Sequence, residues 1–341
     1  MDAERTVTTR SDEAMKDRPF DLRPSDLLTM YRFMVLARTL DERCWLLNRQ
    51  GRAPFVISCQ GHEACQVGSA MALRRGTDWV HPYYRDLGVV LVMGLRPVDV
   101  LLGLLGRAGD PCSGSRQMPF HYSQPELRLL PCSSPVATQI PQAAGVALAS
   151  RARGEDAVTV VYFGEGAASK GDFHEGVNFA AIHRLPVVFF CENNGWAISV
   201  PRHKQMAVPN VADRAAAYGI PGVVVDGLDP VATYEVTRQA VERARRGEGP
   251  TLVEAKVERL VPHSSDDDDR TYRPPEDVAR ARERDPIPRF RDILRRAGVL
   301  DEQSDRALRE EATRDVDEAL AAAERAEYPG VVEAETHVYA G

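Results

Sequence analysis

The chain has 341 residues, 43% of them hydrophobic, enough for one large α/β domain or two average ones. Its formal net charge of −7 argues against a nucleic-acid partner, and no apolar run reaches the roughly 18–20 residues of a membrane span. Six cysteines without a Cys-x-x-Cys pair disfavour a thiolate metal site, and no apolar leader opens the chain, so it reads as cytoplasmic.

Residues 1–20 are polar and lack apolar periodicity, which predicts a flexible arm. Residues 22–50 carry Leu27, Leu28, Tyr31, Met34, Val35, Ala37 and Leu40 at helical spacing behind a cap-like Ser25–Asp26. Residues 96–106 and 139–153 also read as helices. Three β-branched and aromatic runs follow, Val158–Phe163, Pro186–Cys191 and Gly222–Val225, separated by helical sequence. A fourth, Thr251–Val257, comes after a helix over 230–247. This alternation predicts an α/β fold with a parallel sheet covered by helices on both faces. Residues 262–275 hold two serines, four consecutive aspartates and three prolines, and read as an exposed loop. A charged helix over 301–326 closes the pattern. The expectation is one α/β domain over 21–330 with helical N- and C-terminal extensions, then a tail over 331–341. The apolar stretches Ile140–Ala149 and Phe173–Ile182 fit either core or a subunit interface.

The clearest chemical signal is at the end of the first strand, where Val160-Val161-Tyr162-Phe163 runs into Gly164-Glu165-Gly166-Ala167. Ligands of α/β sheets bind at the carboxyl ends of strands. The glycines allow close backbone approach, and a following helix start offers N–H groups to phosphate. Glu165 adds a hard carboxylate, and Mg²⁺ characteristically takes one or two carboxylates plus phosphate oxygens. The next strand ends in Cys191-Glu192-Asn193-Asn194-Gly195-Trp196, with 26 residues between Gly166 and Asn193. That gap holds one helix and one strand, so the two strand ends can be neighbours. Asn194 and the Trp196 carbonyl would then complete an oxygen shell.

Gly-acid-Gly followed in the twenties by Asn-Asn resembles the thiamine-diphosphate signature. Gly164 to Ser199 closely resembles the α subunits of 2-oxo acid dehydrogenases, and glutamate at 165 is similar to the branched-chain type. The resemblance spans roughly residues 25–330 and implies the thiamine-diphosphate-binding fold. It implies a cofactor site of Gly164, Glu165, Gly166, Ala167, Ala168, Asn194, Trp196, Ala197 and Ile198, with Mg²⁺ on Glu165, Asn194 and Trp196. Tyr84-Arg85 is similar to the family's diphosphate contact, and a guanidinium fork suits phosphate. Ser133 to Gln142 resembles a segment of branched-chain α subunits. There Ser134 and Val136 would touch the aminopyrimidine end, and Ser133, the Pro135 carbonyl, Thr138 and Gln139 would hold K⁺. A capped helix start is the plainer reading of that segment.

Arg116 to His121 is similar to the family's loop over the substrate pocket, with His121 a catalytic candidate and Phe120 larger than the residue usual there. Phe55, Tyr84, Met118 and Ser134 are the implied substrate wall; core packing is the alternative for Phe55 and Met118. His263 matches the active-loop histidine and is the second catalytic candidate, also beside the cofactor. Ser264 stands where mammalian relatives are phosphorylated. Glu192 replaces a mammalian Arg, and Lys170 a usual acid.

The resemblance implies oxidative decarboxylation of branched-chain 2-oxo acids of the 2-oxoisovalerate type, with the acyl unit passed to the lipoyl group of an E2 acyltransferase. The chain would be the α subunit of an α₂β₂ E1 component, inactive without a β subunit that supplies a glutamate to the cofactor. Pyruvate or acetoin is the alternative substrate. A non-catalytic diphosphate-binding assembly subunit is the alternative of another class. A nicotinamide dehydrogenase is disfavoured, because no G-x-G-x-x-G opens the first helix.

Overall fold

The structure, a computed structural model, describes residues 7–8 and 22–336. Most of the expected arm, and residues 337–341 of the tail, lie outside the described residues. The sheet contains β1 (Val7–Thr8), β2 (Trp79–His81), β3 (Thr159–Gly164), β4 (Val187–Asn193), β7 (Gly222–Asp226) and β8 (Thr251–Lys256). Its order is β1-β7-β8-β4-β3-β2, and every pairing is parallel. A small antiparallel hairpin, β5 (Trp196–Ala197) and β6 (Val200–Pro201), stands outside it.

Alternation along the strands divides the interior into two cores. Val160, Tyr162, Val188, Phe190 and Val253 face one side. Val161, Phe163, Val187, Phe189 and Leu252 face the other. The second core is covered by α5 (Gln139–Ala152), α6 (Gly171–Ile182) and a 3₁₀ segment, Ala212–Tyr218. The first is covered by α2 (Glu63–Met71) and α7 (Pro230–Arg245). Behind them pack α1 (Pro24–Arg49), α3 (Leu87–Met93), α4 (Pro97–Leu104), α9 (Pro286–Arg296) and α10 (Glu302–Arg325). The short α8 (Pro275–Glu283) buries only Ala281. Phe163, Phe173, Phe189 and Phe190 are fully buried, each contributing ~1.5–3 kcal/mol. The α1–α10 ion pairs Arg32–Glu311 and Arg43–Asp317 are partly exposed and contribute at most ~1 kcal/mol each. Apolar packing therefore dominates, and the two helical extensions belong to the same core.

Two expectations are corrected, and a third, left open, is resolved in part. The first helix begins at Pro24, and its cap is Arg23, whose backbone N–H donates to Asp26 at 3.1 Å; Ser25 lies inside the helix. Residues 262–275 do not form a wholly exposed loop, because Ser264, Asp269 and Arg273 are buried. The apolar stretches contribute to both surfaces: Ile140, Ala143, Phe173 and Val177 are core, whereas Phe179 and Ile182 are exposed. Elements α2, β2, α3, α8 and α9 lie outside the expected pattern, although α9 buries Ile287, Phe290, Ile293 and Leu294 at helical spacing. Among the described residues no helix is long and apolar enough to cross a membrane.

Candidate functional site

Parallel pairing brings the carboxyl ends of all strands to one edge. Four neighbours, β8, β4, β3 and β2, deliver the loops that matter there. The loop after β2 brings Tyr83, Tyr84 and Arg85; β3 brings Gly164 to Ala167; β4 brings Asn194 and Trp196 to Ile198; and β8 brings His263. With Val136 these line one cavity of about 180 Å³.

Glu165 is 1% exposed, its Oε1 has no hydrogen-bond partner, and burial raises its pKa. A carboxyl buried in that state is costly as an anion unless a cation joins it. Asn194 lines the same cavity, with its Oδ1 accepting the Trp196 N–H at 3.1 Å. Gly166 is required by packing, since a Cβ there would stand 2.7 Å from the Ala197 Cβ. The turn between β5 and β6 places Ile198 at φ +53°, a costly conformation for a branched residue. Its carbonyl accepts from Arg259 Nη1 at 3.0 Å.

Arg85 and Arg259 are 3% and 1% exposed. Arg85 donates to the Ser58 carbonyl and to His263 Nδ1, the latter at 3.2 Å. Arg259 donates to the Ile198 carbonyl and, at 2.8 Å, to the Tyr272 hydroxyl. All four of these hydrogen-bond partners are neutral; the acids that feel the two guanidiniums, Asp86 and Glu192 for Arg85 and Asp267 for Arg259, make no ion pair with them. Burial, then Arg85 and Arg259, push the His263 pKa down to about 3. The ring is neutral, accepts at Nδ1 and carries its proton on Nε2. Tyr84 packs edge-on against it at 5.9 Å. Asp267 accepts the His263 backbone N–H at 2.8 Å and the Tyr272 hydroxyl at 2.5 Å, so the aspartate run is not merely solvated.

The residues therefore fit a magnesium diphosphate: Glu165, with one oxygen unpartnered, and Arg85 line one cavity, Arg259 braces its Ile198 wall, and neither arginine is held in an ion pair among the described residues. Among the described residues no three His, Cys, Asp or Glu side chains gather as a metal cage. Any cation here would take one carboxylate and otherwise neutral or phosphate oxygens.

The 133–139 segment forms a second oxygen cluster. Ser133 Oγ lies 2.9 Å from the Pro135 carbonyl and 2.5 Å from Thr138 Oγ1, which is 3.2 Å from that carbonyl. Gln139 donates to the Tyr162 carbonyl at 3.1 Å, leaving its buried Oε1 without a partner. Thr138 makes no side-chain cap bond, so the capped-helix reading is corrected. Ala137 within this turn has φ +79°.

Other expected residues lie apart. Ala168 is wholly buried in the second core and does not line the cavity. Phe55 is half-buried, Ser134 is exposed and Met118 is 50% exposed; none of the three lines the cavity, and Met118 is not core. The Ser134 hydroxyl donates to His121 Nε2 at 2.7 Å, while His121 Nδ1 faces the Pro119 carbonyl at 3.2 Å. Phe120 turns into the core at φ +66°. Glu192 is fully buried and accepts from Gln66 and Tyr83 at 3.1 and 2.9 Å instead of facing the cavity. Sequence reasoning missed Tyr83, Arg259 and His62. Arg259 had a signal, an arginine amid apolar residues just beyond a strand end; His62 had none.

Residues 31–332 match the model of the family described as dehydrogenase E1 component, and the chain belongs to this family. Membership implies dependence on thiamine diphosphate. Among similar relatives, the 2-oxoisovalerate dehydrogenase subunit alpha of Bacillus subtilis is 51% identical over 319 residues, 94% of this chain and 97% of that one. The 3-methyl-2-oxobutanoate dehydrogenase subunit alpha of Mycobacterium tuberculosis is 43% identical over 279 residues, 82% of this chain and 73% of that one. The pyruvate dehydrogenase E1 component subunit alpha of Staphylococcus aureus is 38% identical over 308 residues, 90% of this chain and 80% of that one.

Proposed function

We propose that this chain is the α subunit of a branched-chain 2-oxo acid dehydrogenase of the 2-oxoisovalerate type. It would work with a β subunit as a heterotetramer and deliver its acyl product to a lipoylated acyltransferase. The observation that carries the reading is the set of buried charged groups outside any ion pair among the described residues, Glu165 with an unpartnered oxygen and Arg85 and Arg259 with neutral hydrogen-bond partners, gathered at adjacent strand ends. The higher identity to relatives named for 2-oxoisovalerate than to the one named for pyruvate supports the substrate class.

Thiamine diphosphate, when bound, supplies the electron sink for loss of CO₂ from a 2-oxo acid. Glu165, Asn194 and the Trp196 carbonyl would hold Mg²⁺, and Arg85 would bind diphosphate oxygens. Arg259 braces the hairpin over the site through the Ile198 carbonyl. His263, neutral with its proton on Nε2, can donate that proton as a hydrogen bond to a developing anion. Val136, Ala167 and Tyr84 give the cavity apolar walls that exclude water. The oxygen cluster of Ser133, Pro135, Thr138 and Gln139 suits K⁺, which would stiffen the strained turn before Val136 and α5.

The test is decarboxylation of 2-oxoisovalerate and of pyruvate by this chain, alone and with its β partner, with thiamine diphosphate and Mg²⁺. The expected result is activity only in the complex and faster on 2-oxoisovalerate. Preference for pyruvate would overturn the substrate; an inactive, well-folded complex would overturn the enzyme.

A further inference from the structure

Asn194 carries a problem that its own strand does not solve. A carboxamide presents an oxygen or an NH₂ group depending on a flip of 180°, and only the oxygen serves a cation. Here the Trp196 N–H donates to one end of the amide, which fixes that end as Oδ1. The other end is Nδ2, and it lies 3.1 Å from His62 Nε2. The NH₂ can only donate, so His62 Nε2 must be an unprotonated acceptor, with the ring proton on Nδ1.

His62 is well placed to impose this. It is wholly buried, at the entry to α2, and its Nδ1 has no partner. A side chain that merely filled space there would be better apolar. Its loop cannot drift. Gly61 has φ +94°, and a Cβ on it would stand 2.1 Å from the Glu258 carbonyl oxygen, just beyond β8. The Gly61 N–H donates to Glu63 at 2.8 Å, Glu63 pairs with Arg38 at 2.6 Å, and Arg38 pairs with Asp285 at 2.9 Å. The Leu260 N–H closes the bracing on the Gln60 carbonyl at 3.3 Å.

We propose that His62 is a positioning residue for the metal: its ring acceptor pins the Asn194 amide so that Oδ1 stays turned away from His62, available to a divalent cation held with Glu165. The inference rests on the magnesium diphosphate reading and adds a residue that touches neither metal nor cofactor. Groups that orient a metal ligand commonly change metal affinity when removed, even though they make no bond to the ion.

The experiment measures Mg²⁺-dependent thiamine diphosphate binding by intrinsic fluorescence, using the chain assembled with its β partner. The variants are His62→Leu, His62→Gln, Asn194→Ala and the double variant His62→Leu/Asn194→Ala, and each is also melted without cofactor and metal. His62→Leu should weaken binding by about 10–100-fold and His62→Gln, which keeps an acceptor, by less than about threefold. In the Asn194→Ala background His62→Leu should add nothing further. Wild-type affinity in His62→Leu, or an equal loss in both backgrounds, overturns the positioning role alone. If His62→Leu does not fold, His62→Gln decides: retained affinity supports the role and a tenfold loss overturns it. A wild-type complex that binds no thiamine diphosphate with Mg²⁺ overturns the role and the proposed function together.

Discussion

The site has two ends built on different terms. At the diphosphate end Glu165, Arg85 and Arg259 are nearly inaccessible, and Ser58, Ile198, Asp267 and Tyr272 brace the surrounding loops from distant parts of the chain. At the end proposed for the substrate, outside the cavity itself, Ser134 is exposed, Phe55 is half-buried and Met118 is 50% exposed. Asp110 ties its own loop through the Cys112 and Ser115 N–H groups, both at 2.9 Å, and Arg116 anchors it to the Thr336 carbonyl at 2.8 Å, yet the wall itself stays open. The contrast teaches that one end is preorganised by this fold, whereas the other is a half-wall that a second surface must complete. That is the seat we assign to the proposed β subunit.

Removing the buried acid should sharpen the contrast most. Glu165→Ala is expected to weaken Mg²⁺-dependent thiamine diphosphate binding by at least ~100-fold. It should leave the melting temperature of the unliganded chain unchanged or higher, because a buried carboxyl with one unpartnered oxygen and a pKa raised by burial is a cost to the fold. A stability loss without an affinity loss would make Glu165 structural.

His263 gives a smaller effect, read in acid. Its ordinary pKa of 6.5 is pushed down to about 3 by burial and two arginines. Between those values the unfolded chain holds a proton that the folded chain does not, so stability falls as pH drops from 6.5 towards 3. His62 and His81, also shifted down by burial, steepen the same limb. Urea midpoints against pH should show a shallower acid limb for His263→Gln; an unchanged slope would mean that the ring is solvated.

The smallest effect belongs to the open end. Met118→Ala should change stability by under ~0.5 kcal/mol and leave cofactor affinity intact. The KM for 2-oxoisovalerate should shift instead, only in the complex. A loss of cofactor affinity would erase the distinction between the two ends.

The strand cores at 158–163, 186–191 and 251–257 were legible because a strand buried on both faces reads as a near-continuous apolar run. Glu165 and Asn194 were legible because glycine and asparagine beside a strand end have few other uses. The breaks at Arg23 and Thr138 were misread for one reason. Capping depends on backbone geometry and on what else a side chain can reach, and Thr138 reaches the Ser133–Pro135 cluster instead. The loop over 262–275 was misread because its aspartates find donors, His263 N–H and Tyr272, that composition does not reveal.

The sequence by itself determined strands β3, β4, β7 and β8, helices α1, α4, α5, α7 and α10, and the two strand ends that carry Glu165 and Asn194, because periodicity and glycine placement are local properties. Only the tertiary structure decided which buried charges stand outside an ion pair, that Arg259 braces the cavity's hairpin wall, that His62 faces Asn194 from 132 positions away, and that Met118 is not core. Those facts arise from loops of four different strands meeting at one edge, and local sequence does not encode the desolvation and contacts that such a meeting creates.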